Sequence, residues 1–213
     1  MKIVILGTER SGTTLMREIL AIKYSTSKFD NPPFKEAFDN NSFEFMVYDG
    51  KFTDDYVKDR YFDGYEEEIK YIFMLRDPRA YVASKKSHGN SGHDIDNDTW
   101  ECRVRYYSNF WNKTLSNYYE IKNQGKSIIK IKYEYLVSEP DNVINHICEF
   151  LMIDYNELKG NKADYHCRSS HFGKINQEIH TKSINKWKEA LSEDDINIIE
   201  CICKKYMSKE GYE

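Results

Sequence analysis

"ILGTERSGTTLM", residues 5–16, reads as the end of a buried strand, a Gly/Ser/Thr turn and the start of a helix. Just upstream, residues 2–6 (KIVIL) form a β-branched run that stops at Gly7, as a central parallel strand does. Downstream, Thr13 to Ala21 carries Leu15, Met16, Ile19 and Leu20 at helical spacing. Strand, tight turn and helix in that order outline a phosphate-binding loop. Gly7 to Thr14 fits the pattern G-x-x-x-x-G-[K]-[ST] except at the lysine, where Thr13 stands. The remaining anion chemistry is kept. Gly12 lets the backbone wrap close to a ligand, and the N–H groups of residues 10–14 are expected to turn inward. The helix adds the positive end of its dipole. Thr13 and Thr14 bring hydroxyls, and Arg10 brings a fork of charged donors.

The missing lysine narrows the ligand. In kinases and NTPases that lysine reaches the β- and γ-phosphates, and a metal sits on the Ser/Thr. Asp77 is the best-placed strand-end carboxylate for magnesium, but Pro78 follows it, which makes it a helix cap. A nucleoside triphosphate with its metal is therefore disfavoured, and a smaller or differently shaped phosphate ester is favoured.

Outward from this loop, strands alternate with helices. Residues 25–42 contain the Pro-Pro pair and read as a loop leading into a short helix; 43–50 (FEFMVYDG) read as a strand, and 54–70 as a surface helix. Residues 69–78 (IKYIFMLRDP) are the clearest strand, followed by a helix with Pro78 in its first turn. A polar loop at 88–99 precedes a long amphipathic helix from Trp100 to Gly125. Residues 126–137 (KSIIKIKYEYLV) read as a strand. The helix after them is capped by Ser138 and buries Val143, Ile144, Ile147, Phe150 and Leu151. Residues 160–183 lack periodicity. The rest is helical, split near Ser192, which caps a second helix with Asp195 three residues on. This alternation predicts an α/β domain with a parallel sheet, whose ligands bind at the carboxyl ends of the strands.

Bulk properties agree with a single globular domain. The 213 residues are 40% hydrophobic, enough for a full core. A net charge of −4 argues against a general nucleic-acid binder, though it leaves room for a local basic pocket. The five cysteines form no C-x-x-C pair, so reduced and mostly buried thiols are expected, with no disulfide framework or zinc site. "MKIVILG" is too short for a signal peptide and no apolar stretch reaches membrane-spanning length. A cytoplasmic location without membrane insertion is expected. Trp100, Tyr106, Tyr107, Phe110 and Trp111 on the long helix are read first as core.

The second loop at a strand end is "RDPRAYVASKKS". Arg76 stands at the strand terminus and Ser84 two turns into the helix, where both can meet one phosphate. With "RSGTT" upstream, this pairing resembles the sulfotransferases that use 3′-phosphoadenosine-5′-phosphosulfate (PAPS). "IKYEYLVSEPDNVINHICEFLMI" and "SINKWKEALSEDDINIIE" are similar to that family's strand–helix and Trp-Lys segments. "RSGTTLMR" and the spacing from "RSS" to "NKW" are especially similar to the tyrosylprotein sulfotransferases. The resemblance covers nearly the whole chain. It implies one domain over residues 1–213, a three-layer P-loop-NTPase-like fold with a central parallel sheet flanked by helices, and PAPS as co-substrate with PAP as product and no metal. Arg10, Ser11, Gly12, Thr13 and Thr14 would then bind the phosphosulfate, Arg76 and Ser84 the 3′-phosphate, and Tyr133 the nucleoside. Lys186 and one of Ser169 or Ser170 would close the site.

Sulfuryl transfer to a hydroxyl needs cations where charge grows on the bridging oxygen. Arg10 is the first candidate. Lys51 resembles the family's catalytic lysine in position, with Lys58 as the competing choice. A base must also deprotonate the acceptor. Related enzymes carry a glutamate about twenty residues after the loop to act as this base. Here Asn31 stands there, which leaves Asp30, Glu36, His88 or His93; for His171 and His180, packing or surface roles are as good a reading. The acceptor stays open among carbohydrate, small hydroxylated metabolite and protein tyrosine. A kinase with a degenerate loop and a non-catalytic PAP-binding protein are the competing readings.

Overall fold

The computed structural model describes residues 2–20, 69–87, 99–158 and 181–212. Its centre is a parallel sheet in the order β1 (Lys2–Gly7), β2 (Ile69–Leu75), β3 (Ile128–Lys132). Burial of both faces explains the unbroken apolar runs of β1 and β2. On one face Val4, Leu6, Tyr71, Phe73 and Leu75 pack with α2 (Pro78–Ser87), α3 (Trp100–Asn123) and α8 (Glu193–Glu210). On the other, Ile3, Ile5, Ile72 and Met74 pack with α1 (Thr13–Leu20), α4 (Tyr133–Ser138) and α5 (Pro140–Leu151), with Leu158 of α6 (Tyr155–Leu158) added. Helices cover both faces, so the α/β class with a parallel sheet flanked by helices holds. A 3₁₀ turn (Thr181–Ser183) and the short helix α7 (Trp187–Ala190) precede α8.

Two expectations need correction. The segment 126–137 is not one strand: β3 stops at Lys132 and Tyr133 opens α4. Tyr133, Leu136 and Val137 recur at i, i+3 and i+4, a helical period that the alternating Tyr-Glu-Tyr obscures. Ser138 caps nothing; it is the last residue of α4. Pro140 sits at the first position of α5, which makes Glu139 the cap residue and bars it from continuing α4. The buried face of α5 is Ile144, Ile147, Cys148 and Leu151, with Val143 and Phe150 partly covered.

Ile69 and Lys70, the end of the helix expected over 54–70, open β2 instead. The rest of that helix, the strand at 43–50 and the loop at 25–42 lie outside the described residues, as does most of the loop at 88–99. Ser192 does cap α8: its hydroxyl accepts from Asp195 N–H, and Asp195 accepts from Ser192 N–H, both at 3.1 Å. Of the four described cysteines two are buried and two exposed; Cys167 lies outside the described residues. Cys148 and Cys203 are buried free thiols, while Cys102 and Cys201 are exposed. Burial pushes the Cys203 thiol up to about 12. On α3, Tyr107 and Trp111 are core, Trp100 and Phe110 are half-buried, and Tyr106 is exposed. No described helix is long and apolar enough to cross a membrane.

Candidate active site

Strand register assembles the site. Gly7 pairs with Met74, Met74 with Ile131, and Leu75 with Lys132. The three strands therefore end level, and the residues that follow them meet along one edge: the turn at 8–12, Arg76 with Asp77, and Tyr133.

The first loop closes on itself. Ser11 is fully buried; its N–H and its hydroxyl both donate to Thr8 O, at 3.2 and 2.6 Å. Its amide is thus committed within the turn and does not belong to the inward set expected over residues 10–14. Arg10 takes a left-handed conformation (φ 64°), which for a non-glycine residue costs about 1–3 kcal/mol unless its surroundings fix it. Two contacts do so. Arg10 Nε donates to Ser84 Oγ at 3.2 Å, and Arg10 O accepts from Arg76 Nη1 at 2.8 Å. Gly12 has φ 94°, and a Cβ there would lie 2.6 Å from Cδ2 of Tyr133. Glycine at this position is what lets the loop lie against that ring. Thr13 is buried and Thr14 half-buried in the first turn of α1.

Arg76 is the hub of the edge. It is 7% exposed, with its guanidinium carbon 4.5 Å from the centroid of Tyr133. Nη2 donates to Ser183 O at 2.9 Å, while Nε is buried without a hydrogen-bond partner among the described residues. Burial lowers its pKa, opposed by Tyr133, Glu134, Asp77 and Tyr212; an arginine so placed still keeps its charge. Its backbone is fixed too, because Trp111 Nε1 donates to Arg76 O at 2.9 Å. Asp77 acts as the cap read from Pro78. Its Oδ1 accepts from Arg79 N–H at 2.8 Å, and its two oxygens take the Arg79 fork at 3.0 and 2.8 Å.

Tyr133 and Glu134 serve different sides of this corner. The Tyr133 hydroxyl shares a 2.7 Å hydrogen bond with Ser183 Oγ. Glu134 accepts from Asp77 N–H at 2.9 Å and from Tyr212 OH at 3.0 Å. Burial raises the pKa of Glu134 against these donors, and burial with the nearby Glu134 raises that of Tyr212. Lys186, exposed at the cap of α7, follows Ser183 by three residues. The next residue, Trp187, lies under the Arg79 guanidinium at 4.3 Å. Near the first loop, Lys85 bonds Glu9 at 2.7 Å and stands over Tyr107.

Direct contacts thus join Arg10, Gly12, Arg76, Ser84 and Tyr133, drawn from three distant stretches of sequence. Ser183 and Glu134 belong with them and were missed. Glu134 had a signal, its place beside Tyr133 at the strand end; Ser183 sits in an aperiodic stretch and had none. Asp30, Glu36, Lys51, Ser169 and Ser170 lie outside the described residues, with Asn31, Lys58, His88, His93, His171 and His180.

A parallel α/β sheet whose strand ends gather two arginines, a serine and a tyrosine around a glycine turn is a phosphate-loop-like α/β domain. The sulfotransferase domain profile matches residues 1–211, and the chain belongs to that family. Two nematode proteins provisionally named protein-tyrosine sulfotransferases, from Caenorhabditis briggsae and Caenorhabditis elegans, are each 25% identical to it over 154 residues. The matched stretch is 68% of this chain and 52% and 57% of theirs, so the chain spans about half the length of these relatives. Among solved structures, mouse sulfotransferase SULT7A1 complexed with PAP matches at TM-score 0.66 and 13% identity, over 97% of this chain and 83% of that one. The sulfotransferase domain from the curacin biosynthetic pathway matches at 0.62 and 16%, over 99% and 97%. The sulfotransferase domain of the Synechococcus PCC 7002 olefin synthase matches at 0.59 and 17%, over 95% and 94%. These likenesses establish the fold.

Proposed function

We propose that this protein is an enzyme that moves a sulfuryl group from PAPS to a hydroxyl acceptor and releases PAP. The observation that carries the reading is the convergence of Arg10, Arg76, Ser84 and Tyr133 at one sheet edge, with the buried Nε of Arg76 lacking an acceptor among the described residues. A buried donor without a partner costs about 1–3 kcal/mol, and an anion at this edge relieves that cost.

In this reading PAPS supplies the sulfuryl group and the chain supplies charge and position. Arg76 and Ser84 hold the 3′-phosphate, and the Tyr133 ring lies against the nucleoside. Gly12, Thr13 and Thr14 wrap the 5′ end, where Ser11 secures the turn. Arg10, with Lys51 or Lys58, offsets the charge that grows on the departing oxygen. Asp30, Glu36, His88 or His93 takes the acceptor proton, and Lys186 with Ser169 or Ser170 closes the site. The names of the nematode relatives favour a tyrosine hydroxyl among the possible acceptors.

Calorimetry with PAP, PAPS and ATP tests the reading. PAP and PAPS should bind without added metal and ATP weakly; a preference for ATP with magnesium would overturn it in favour of a kinase. An acceptor screen with labelled PAPS then reports turnover. Asn31, where a basic carboxylate is expected, favours one second reading, a PAP-binding protein without catalysis, which binding without turnover of any acceptor would support.

A further inference from the structure

The second loop and the Trp-Lys segment lie about a hundred residues apart in sequence, yet one side chain joins them. Arg79 is 6% exposed and its guanidinium is held in its plane from three directions. Nε and Nη2 bond the two oxygens of Asp77 at 3.0 and 2.8 Å, and Nη1 bonds Glu200 Oε1 at 2.8 Å. One face of the guanidinium stacks on Trp187 at 4.3 Å. Lys86, seven residues on, shares that stripe of α2. Its Nζ donates to Ala190 O at 3.0 Å and lies 3.6 Å from Asp195. Helix α2 therefore grips α7 at both ends: Arg79 on Trp187, its first residue, and Lys86 on Ala190, its last. The same helix presents Ser84 to Arg10.

Resting on the PAPS reading above, we infer that Arg79 is a positioning residue. It fixes Trp187, and through Trp187 holds Ser183 on Arg76 and Tyr133 and sets Lys186 beside the 3′-phosphate end of the nucleotide. A planar fork is required. Lysine would keep the charge beside Asp77 but cannot bond Asp77 and Glu200 while offering a flat face to an indole.

Hydrogen–deuterium exchange on the cofactor-free protein tests the first link. In Arg79→Ala the amides of residues 181–190 should exchange about tenfold faster or more, while those of β1 and β2 stay at wild-type rates. Trp187→Ala should behave alike, and Trp187→Phe, which keeps an aromatic face, should stay near wild type. Unchanged exchange at 181–190, or acceleration spread equally over the sheet, would overturn the inference. A double-mutant cycle on PAP affinity tests the second link. Arg79→Ala should raise the PAP Kd about tenfold alone and have less than about a twofold further effect in a Lys186→Ala background. Losses that multiply would show that Arg79 does not act through Lys186. Failure of wild type to bind PAP would sink the cofactor reading, and the exchange result would still decide what Arg79 holds.

Discussion

Gly12→Ala probes whether the first loop and Tyr133 form one unit. The added Cβ would lie 2.6 Å from Cδ2 and 3.3 Å from Cε2 of the ring. Ordinary contact begins near 3.4 Å, so the ring must retreat by roughly 0.8 Å or the loop must lift. The ring is not free to retreat: its hydroxyl bonds Ser183 at 2.7 Å and the Arg76 guanidinium covers its face. The backbone adds its own term, because φ 94° suits glycine and costs an L-residue about 1–2 kcal/mol. Losing the Tyr133–Ser183 bond adds about 1 kcal/mol. Together these predict about 2–3 kcal/mol of destabilisation, a fall in Tm of roughly 4–12 °C for a domain of this size. PAP affinity should drop with it, by about tenfold or more. Gly125→Ala is the control, because φ there is also positive (77°) while no described residue lies within 4 Å of the new Cβ. It carries the backbone term alone and should leave PAP binding intact. Thermal melts and calorimetry on both variants give the answer. Gly12→Ala with wild-type Tm and wild-type PAP affinity would refute the claim that the loop needs glycine to lie on Tyr133.

Further predictions concern the second loop and the cap of α8. Arg76→Ala and Ser84→Ala should each weaken PAP binding by about 1.5–3 kcal/mol, or roughly 10- to 150-fold in Kd, measured by calorimetry; unchanged affinity in both would mean that these residues do not hold the 3′-phosphate. For Asp195, burial works to raise the pKa, but bonds from Trp100 Nε1 and Ser192, with the nearby Lys86, outweigh it and leave the pKa below its usual 3.8. A carboxylate depressed in the folded state contributes stability that is present above its ordinary pKa and is lost as pH falls through the lowered value. Asp195→Asn should therefore reduce stability at neutral pH and flatten the loss on acidification. Urea midpoints followed down to about pH 2.5 would check this, and an acid limb as steep as wild type would contradict it.

Much of the fold could be read directly because burial on both faces leaves a strong mark. Strands β1 and β2 are apolar over Ile3–Leu6 and Tyr71–Leu75, and Gly7 and Pro78 punctuate their ends. The Ser192–Asp195 box was legible for a similar reason, since cap chemistry is local. The segment after Lys132 was not, because tyrosine and valine suit strands and the alternating Tyr-Glu-Tyr hides the helical period of Tyr133, Leu136 and Val137. Arg10, Arg76, Ser84 and Tyr133 were legible in their residue types and places at strand ends. Their mutual contacts were not, for these depend on register: Leu75 opposite Lys132 is what sets Arg76 beside Tyr133. Ser183 and the Arg79–Trp187 stack were invisible because nothing local requires them. They exist only once the C-terminal segment returns to the sheet edge.

The bonds already made by Arg76 impose a rule on any visitor. Two of its N–H groups are engaged by main-chain carbonyls, those of Arg10 and Ser183. A neutral polar group that displaces one of these carbonyls exchanges one hydrogen bond from the arginine for another of the same kind and gains little. A phosphate replaces a neutral acceptor with a charged one, which adds the attraction of opposite charges to a hydrogen bond already assisted by the arginine's charge. At these two N–H groups, then, water and hydroxyls gain little by displacing what the chain provides, and a group carrying full negative charge should gain most.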